Sequence, residues 1–133
     1  MSDYAAAALD INAAMLALGN ETLNTPLASM VRNRDIPNIY AANHVVAISA
    51  STAEEVDEMM ARVEVEYQHA RHRRFHVDYR TPPAVVARLT LEGYTREDVL
   101  AFLLDGQLLG SPGPQDIRPV VTNEDWEAFW DLM

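Results

Sequence analysis

The 133-residue chain contains no cysteine and no lysine, which excludes several classes of chemistry. Without cysteine there is no disulfide framework, no thiolate metal site and no cysteine nucleophile. Without lysine there is no Schiff base and no phosphate-loop lysine. All ten basic residues are arginines, against twenty acidic residues, so the formal net charge is −10. This acidic balance argues against nucleic acid and anionic membranes as partners, because both would repel the chain.

Long hydrophobic runs are also missing, since no segment approaches the ~18 apolar residues that span a bilayer. An alanine-rich stretch near the N-terminus is interrupted by Asp10 and Asn12 and lacks the basic residues that precede a signal sequence. We therefore expect it to stay on the mature protein, and we expect that protein to be cytoplasmic. Hydrophobic residues make up 49% and charged residues 23%, which is typical of a globular domain.

The first 42 residues predict a helical N-terminal part. A helix is expected from Ser2 to Gly19, because a serine can cap its start and a glycine its end. Two prolines then interrupt the pattern, and the segment Leu27–Val31 is compatible with either a short helix or a strand.

From residue 43 the pattern predicts an α/β fold, a mixed β-sheet flanked by helices. Ser51 and Thr52 open a helix, because each is followed three residues later by a glutamate that completes a capping box. A second helix runs from Thr81 to Gly93. Three strands are expected on apolar runs or period-two alternation, at His44–Ile48, Phe75–Tyr79 and Val99–Leu104.

The predicted organisation is one domain over residues 1–110, with strand, helix, strand, helix and strand over 43–104. Residues 111–116 read as a linker, and residues 117–133 as a strand and helix extension, with the strand at Ile117–Val121 and the helix from Asn123. The expected core consists of Val45, Val46, Ile48, Val56, Met60, Val63, Val77, Leu89, Val99, Phe102 and Leu104.

Two segments carry a family resemblance. The helix Pro83–Tyr94 ends in Gly-Tyr and precedes a strand, and Ile117–Trp126 looks like an opening strand and helix. This order resembles the GNAT N-acetyltransferase superfamily. The resemblance implies that residues 43–104 form the back half of one GNAT-like unit and residues 117–133 the front edge of another. Such an arrangement is similar to tandem GNAT proteins whose first unit is degenerate.

The resemblance also implies that this chain lacks the usual catalytic equipment. GNAT enzymes hold the coenzyme A pyrophosphate on a glycine-rich loop that opens a helix. The matching segment here, Ser49–Glu55, contains no glycine and places Glu54 and Glu55 where the pyrophosphate would lie. The family's tyrosine acid falls on Leu89 and its asparagine on Pro82, neither of which can relay a proton. We therefore assign no catalytic and no cofactor-binding residue.

Two further groups of residues suggest ligand chemistry. The first is a basic cluster that could hold a phosphate or carboxylate through arginine forks, namely Arg71, Arg73, Arg74 and Arg80. Its alternative role is to complement the helix dipole and the acidic stretch Glu54–Glu66. The second is the array His69, His72 and His76, for which solvated polar positions are favoured over zinc, so no metal is assigned.

The last helix carries an unusually large apolar face for two and a half turns, made of Trp126, Phe129, Trp130 and Met133. This face is expected to pack on a second copy of the chain, on a following acetyltransferase domain, or on its own sheet. We expect a homodimer or a following domain as partner.

Three hypotheses for function follow. The first is a non-catalytic GNAT-like domain with an interaction or structural role in an N-acetyltransferase. The second is an acyl-CoA-dependent N-acetyltransferase whose site is completed by a dimer or a following domain, with acetyl-CoA as its cofactor. The third is a small anion-binding regulatory module that uses the basic cluster.

Overall fold

A computed structural model describes residues 3–100 and 120–132 of the chain. These residues form four α-helices and a three-stranded antiparallel sheet, so the fold is of the mixed α and β class that the sequence predicts. The chain divides into two compact units, residues 1–102 and residues 103–133. None of the helices described is long and apolar enough to cross a bilayer.

The first unit contains most of the regular structure. Its elements in chain order are α1 (Asp3–Ala17), β1 (Glu21–Asn24), β2 (Ser29–Arg32), a 3₁₀ turn (Tyr40–Ala42), β3 (His44–Val46), α2 (Ala53–Glu66) and α3 (Pro83–Leu91). The second unit contributes α4 (Asn123–Leu132). The prediction of a helix in each of these four segments is confirmed.

The sheet has the order β1–β2–β3, with both neighbouring pairs antiparallel. A tight hairpin joins β1 to β2, because the Thr25 hydroxyl accepts the N–H groups of Leu27 and Ala28 and donates to the Ala28 carbonyl. The sequence was compatible with either a helix or a strand at Leu27–Val31. The structure has a strand there, because β2 begins at Ser29. Strand β1 was not predicted, since its four residues are mostly polar and exposed.

Helix α2 packs its apolar stripe on the sheet. Val56, Met59, Met60 and Val63 are all buried, as is Tyr67 at the end of the helix. The Tyr67 hydroxyl lies 2.8 Å from the Val31 carbonyl of β2 and 2.6 Å from the His44 carbonyl of β3, so its single hydrogen is shared between two strands. This contact fixes the end of α2 against the sheet.

One core fills the space between the sheet, α2 and α3. The predicted members Val45, Ile48, Val56, Met60, Val63 and Leu89 are confirmed. The core also takes in residues from the hairpin, the two helices and the segment after β3, namely Ala28, Met30, Ala50, Met59, Tyr67 and Val85.

Two further strands were predicted, at Phe75–Tyr79 and Val99–Leu104. Among the residues that the structure describes, neither segment forms a strand. In Phe75–Tyr79 only Phe75 pairs, as an isolated parallel bridge with Val45, and Val77 is 45% exposed instead of belonging to the core. Val46, another residue predicted for the core, is only half-buried and does not belong to it. A period-two pattern supplies one apolar face, but a strand also needs a continuous backbone partner.

The remaining C-terminal predictions are only partly covered by the structure. Val99, the first residue of the expected third strand, is 78% exposed and lies outside any strand, so its core assignment is wrong. Phe102 and Leu104 lie outside the described residues, as does the linker 111–116. Val120 and Val121, the end of the expected strand at 117–121, are not in a strand, and residues 117–119 lie outside the described residues.

Replacing Tyr67 with phenylalanine should lower the free energy of unfolding by about 1–3 kcal/mol, because two buried carbonyl groups lose a hydrogen-bond donor. Urea denaturation followed by circular dichroism measures the change. Tyr4→Phe is the matched control, since this tyrosine is 67% exposed and its variant should unfold like the wild type. Equal stability of the Tyr67→Phe variant and the wild type would contradict the bridging role.

Candidate functional site

The N-terminus of α2 is the position where the family resemblance would place a pyrophosphate. Three of the backbone N–H groups here, those of Ser51, Thr52 and Glu55, already donate within the chain. One carboxylate oxygen of Glu55 accepts the Ser51 N–H at 2.8 Å, the Ser51 hydroxyl at 2.9 Å and the Thr52 N–H at 3.2 Å. In return the Thr52 hydroxyl accepts the Glu55 N–H, which completes the predicted capping box.

These hydrogen bonds also fix the charge of the site. The pKa of the Glu55 carboxyl is lowered, chiefly by the Ser51 backbone N–H and then by the Ser51 hydroxyl and the Thr52 N–H. Glu54 is a second acidic residue in the same turn. The site therefore carries negative charge at neutral pH and presents its donors to an internal anion, which opposes a phosphate ligand.

Neither position of the family's proton-relay residues has a functional counterpart. Leu89 is buried in the core, and Pro82 stands at the start of α3 without a side-chain cap. Tyr94, whose N–H donates to the Leu89 carbonyl, is half-buried and its ring packs edge-on against Phe75. Burial raises the pKa of Tyr94.

Arginines of the basic cluster pair with separate carboxylates instead of facing a common point. Arg73 forms a bidentate pair with Glu64 at 2.9–3.0 Å, and Arg74 lies 3.7 Å from Glu97. Of the four arginines, only Arg71 makes no ion pair with the residues that the structure describes.

Arg80 is the most fully paired member of this cluster. Its guanidinium contacts Asp78 at 2.9 Å and Asp10 of α1 at 2.8 Å, and these carboxylates raise its pKa. The cluster is therefore a set of separate ion pairs rather than one convergent anion site.

The predicted histidine array does not converge on a common point. His69 donates from Nε2 to the Asn43 side-chain oxygen at 2.8 Å, and His72 contacts the Asn43 backbone carbonyl at 3.2 Å. His76 instead stacks on His44. Within residues 3–100 and 120–132, no three His, Cys, Asp or Glu residues are placed to hold a metal ion.

Asn43, which contacts both His69 and His72, was not predicted from the sequence. It is fully buried, and its amide nitrogen donates to the carbonyls of Ile36 and Ile39 at 3.0 and 3.1 Å. Its side-chain oxygen accepts the Asn33 N–H at 3.0 Å in addition to His69. The position of a polar residue directly before an apolar strand was the one hint in the sequence. The hydrophobic pattern does not show which loop residues it would contact.

The aromatic side chains of α4 form one cluster, as the sequence spacing predicts. The Trp126 and Trp130 rings stack with centroids 6.5 Å apart, and both pack edge-on against Phe129. Trp126 is 47% exposed and Trp130 is 65% exposed. Met133, the fourth predicted member, lies outside the described residues.

A shallow apolar groove follows the outer surface of α3. Its lining includes Tyr79, Val86 and Leu91, three large side chains that are substantially exposed. The groove is open to solvent, whereas a small-molecule site is a concave pocket that buries most of the ligand.

Comparison of the chain with protein-family models, with curated proteins and with solved structures finds no match.

Replacing Thr52 with alanine should lower the free energy of unfolding by about 1 kcal/mol, because the first turn of α2 loses its N-cap acceptor. Thermal or urea denaturation measures the change at neutral pH, where the Glu55 half of the capping box is charged. Thr95→Ala, at an exposed loop position, should unfold like the wild type. Equal losses in both variants would contradict the capping role.

Proposed function

We propose that this chain is a non-catalytic GNAT-like domain with an interaction or structural role in an N-acetyltransferase. The observation that carries the proposal is the Glu55 carboxylate, which accepts the Ser51 and Thr52 N–H groups directly before α2. In the GNAT family those donors would face the pyrophosphate of coenzyme A.

The order of elements supports the family part of the proposal. Strand β3 is followed by α2, by the parallel bridge between Val45 and Phe75, and then by α3, which ends at Leu91 just before Gly93. The resemblance implies strand, helix, strand, helix and strand, of which the described residues match the first strand, both helices and, in place of the second strand, a single bridge. The absence of proton-relay side chains at Pro82 and Leu89 supports the non-catalytic part.

Exposed apolar surface supports the interaction role. The aromatic cluster of α4 and the groove along α3 each present large apolar side chains to solvent. Aromatic side chains often anchor protein–protein contacts, because each buries a large area at a small cost in rotamer entropy. Acidic residues of α4, among them Glu124 and Glu127, would form a polar rim. The proposed partner is a second copy of the chain or a following acetyltransferase domain, in the cytoplasm.

The aromatic cluster also favours a second candidate function. Under this alternative the chain belongs to an acyl-CoA-dependent N-acetyltransferase whose site is completed across the α4 face by a dimer or a following domain. Acetyl-CoA would then bind mainly to groups outside this chain.

The third hypothesis, an anion-binding regulatory module, has less support. Arg73, Arg74 and Arg80 each face a carboxylate, so an incoming anion would have to displace an existing ion pair. Of the four arginines, only Arg71 has no ion pair within residues 3–100 and 120–132.

Acetyl-CoA should bind this chain no more tightly than millimolar, because the α2 N-terminus is occupied by Glu55 and flanked by Glu54. Isothermal titration calorimetry at low salt tests this, with a catalytically active GNAT enzyme as the positive control. A dissociation constant near 1 μM, about −8 kcal/mol, would refute the non-catalytic proposal and favour the acyl-CoA alternative.

Replacing Trp126 and Trp130 together with serine should convert a dimer into a folded monomer, because both indole rings are removed from one helical face. Multi-angle light scattering gives the mass, and far-UV circular dichroism checks the fold. The matched control is Ile11→Ser with Met15→Ser, which removes two exposed apolar residues of α1 and should leave the dimer intact. A wild-type monomer with both indoles buried would contradict the homodimer.

A further inference from the structure

All four histidines of the chain lie along one contact, between residues 43–45 and residues 69–76. We call this contact the histidine seam. Two backbone hydrogen bonds cross it, from the Val45 N–H to the Arg74 carbonyl and from the His76 N–H to the Val45 carbonyl, both 2.8 Å. The seam joins the antiparallel sheet to the segment that leads into α3.

His44 lies at the centre of the seam and is fully buried. Neither of its ring nitrogens has a hydrogen-bond partner among the residues the structure describes. Its ring stacks on His76, with centroids 4.4 Å apart and planes 25° from parallel. A buried polar group without a partner is costly, and it costs far more when it is charged.

The hydrogen bonding of His76 also requires a neutral ring. Arg74 donates from Nε to the Nε2 atom of His76 at 3.3 Å, so that nitrogen is the acceptor and carries no proton. Protonation of Nε2 would abolish this bond and place two cations 3.3 Å apart. The geometry therefore favours the neutral forms of both stacked imidazoles.

The other charged and titratable groups at the seam come from several elements. Arg74 packs against the Tyr40 ring of the 3₁₀ turn and pairs with Glu97, and His72 packs edge-on against Tyr40. From the end of α2, the Tyr67 hydroxyl donates to the His44 carbonyl. Glu97 is the one carboxylate in this set, and it is paired with Arg74 rather than with a histidine.

The shifts in pKa agree with this geometry. Burial first, and then the neighbouring His76 and Arg74, lower the pKa of His44 to about 4. Burial and Arg74 lower the pKa of His76 as well. Between the ordinary histidine pKa of about 6.5 and the lowered values, an opened seam binds protons that the closed seam does not, so falling pH favours opening.

We propose that the histidine seam is an acid-sensitive latch. It is closed while His44 and His76 are neutral, and protonation of the pair releases residues 69–76 from β3. Strands β1 and β2 and helix α2 remain folded, because none of these three elements contains a histidine. The proposal concerns regulation by pH and is independent of the proposed relation to acetyltransferases.

Hydrogen exchange followed by NMR at pH 7.5 and pH 5.0 tests the latch, after correction for intrinsic exchange rates. Protection of the Val45 and His76 amides should fall by about tenfold or more at pH 5.0. Protection of the Val63 amide, in the interior of α2, should change little. Unchanged protection at the seam, or an equal loss at Val63, would overturn the proposal.

A double variant, His44→Phe with His76→Gln, keeps an aromatic ring and an acceptor for Arg74 but removes both titrations. Its seam amides should lose much less protection than those of the wild type over the same pH interval. Any remaining loss would come from His69, whose pKa is also lowered by burial. His72→Gln is the matched control on the same seam and should behave like the wild type. A tenfold loss in the double variant would overturn the proposal.

A ring titration decides the matter if the double variant does not fold. NMR signals of the His44 and His76 rings in the wild type should then titrate below pH 6.5, together with the loss of amide protection. Titration of both rings at 6.5 or above, without a change at the seam, would overturn the latch.

Discussion

The Tyr67 hydroxyl ties the end of α2 to two strands of the sheet. Tyr67 ends α2, and its oxygen lies within hydrogen-bond distance of carbonyls on both β2 and β3. A sheet of three strands of three or four residues has little stability of its own, so it depends on a helix packed across one face. Arg32 makes a second link between the same elements, since it pairs with Glu21 of β1 and Glu66 of α2. The segments that follow, including the histidine seam, build on this fixed helix end.

The start of the same helix illustrates a conflict between stability and ligand binding. A helix N-terminus attracts anions because its first N–H groups have no partner within the helix. Here Thr52 and Glu55 each accept the other's N–H group. The capping box that makes the start of the helix recognisable in the sequence thereby uses two of these donors and places a carboxylate where a phosphate would bind.

The sequence predicted those elements whose signals are local. Capping at Thr52 and the proline before α3 define helices without reference to the rest of the chain. Features that depend on distant partners were missed or misjudged. Strand β1 exists because the Thr25 turn folds it onto β2, while Val77 has a strand-like pattern but no strand beside it. Asn43 donates to loop carbonyls, and His44 stacks on a residue 32 positions later. Neither contact produces a periodic pattern in the sequence.

Asn43 also makes the fold sensitive to chemical ageing. Its amide group supplies two donors and one acceptor at a length that no other side chain matches. Hydrolysis of that amide to a carboxylate would keep the shape but turn the donor side into an acceptor that faces the carbonyl oxygens of Ile36 and Ile39. Attraction on that side would become repulsion inside a closed site. Replacing this one amide nitrogen with oxygen adds only about one mass unit to the protein. It would nevertheless loosen the loop that precedes β3.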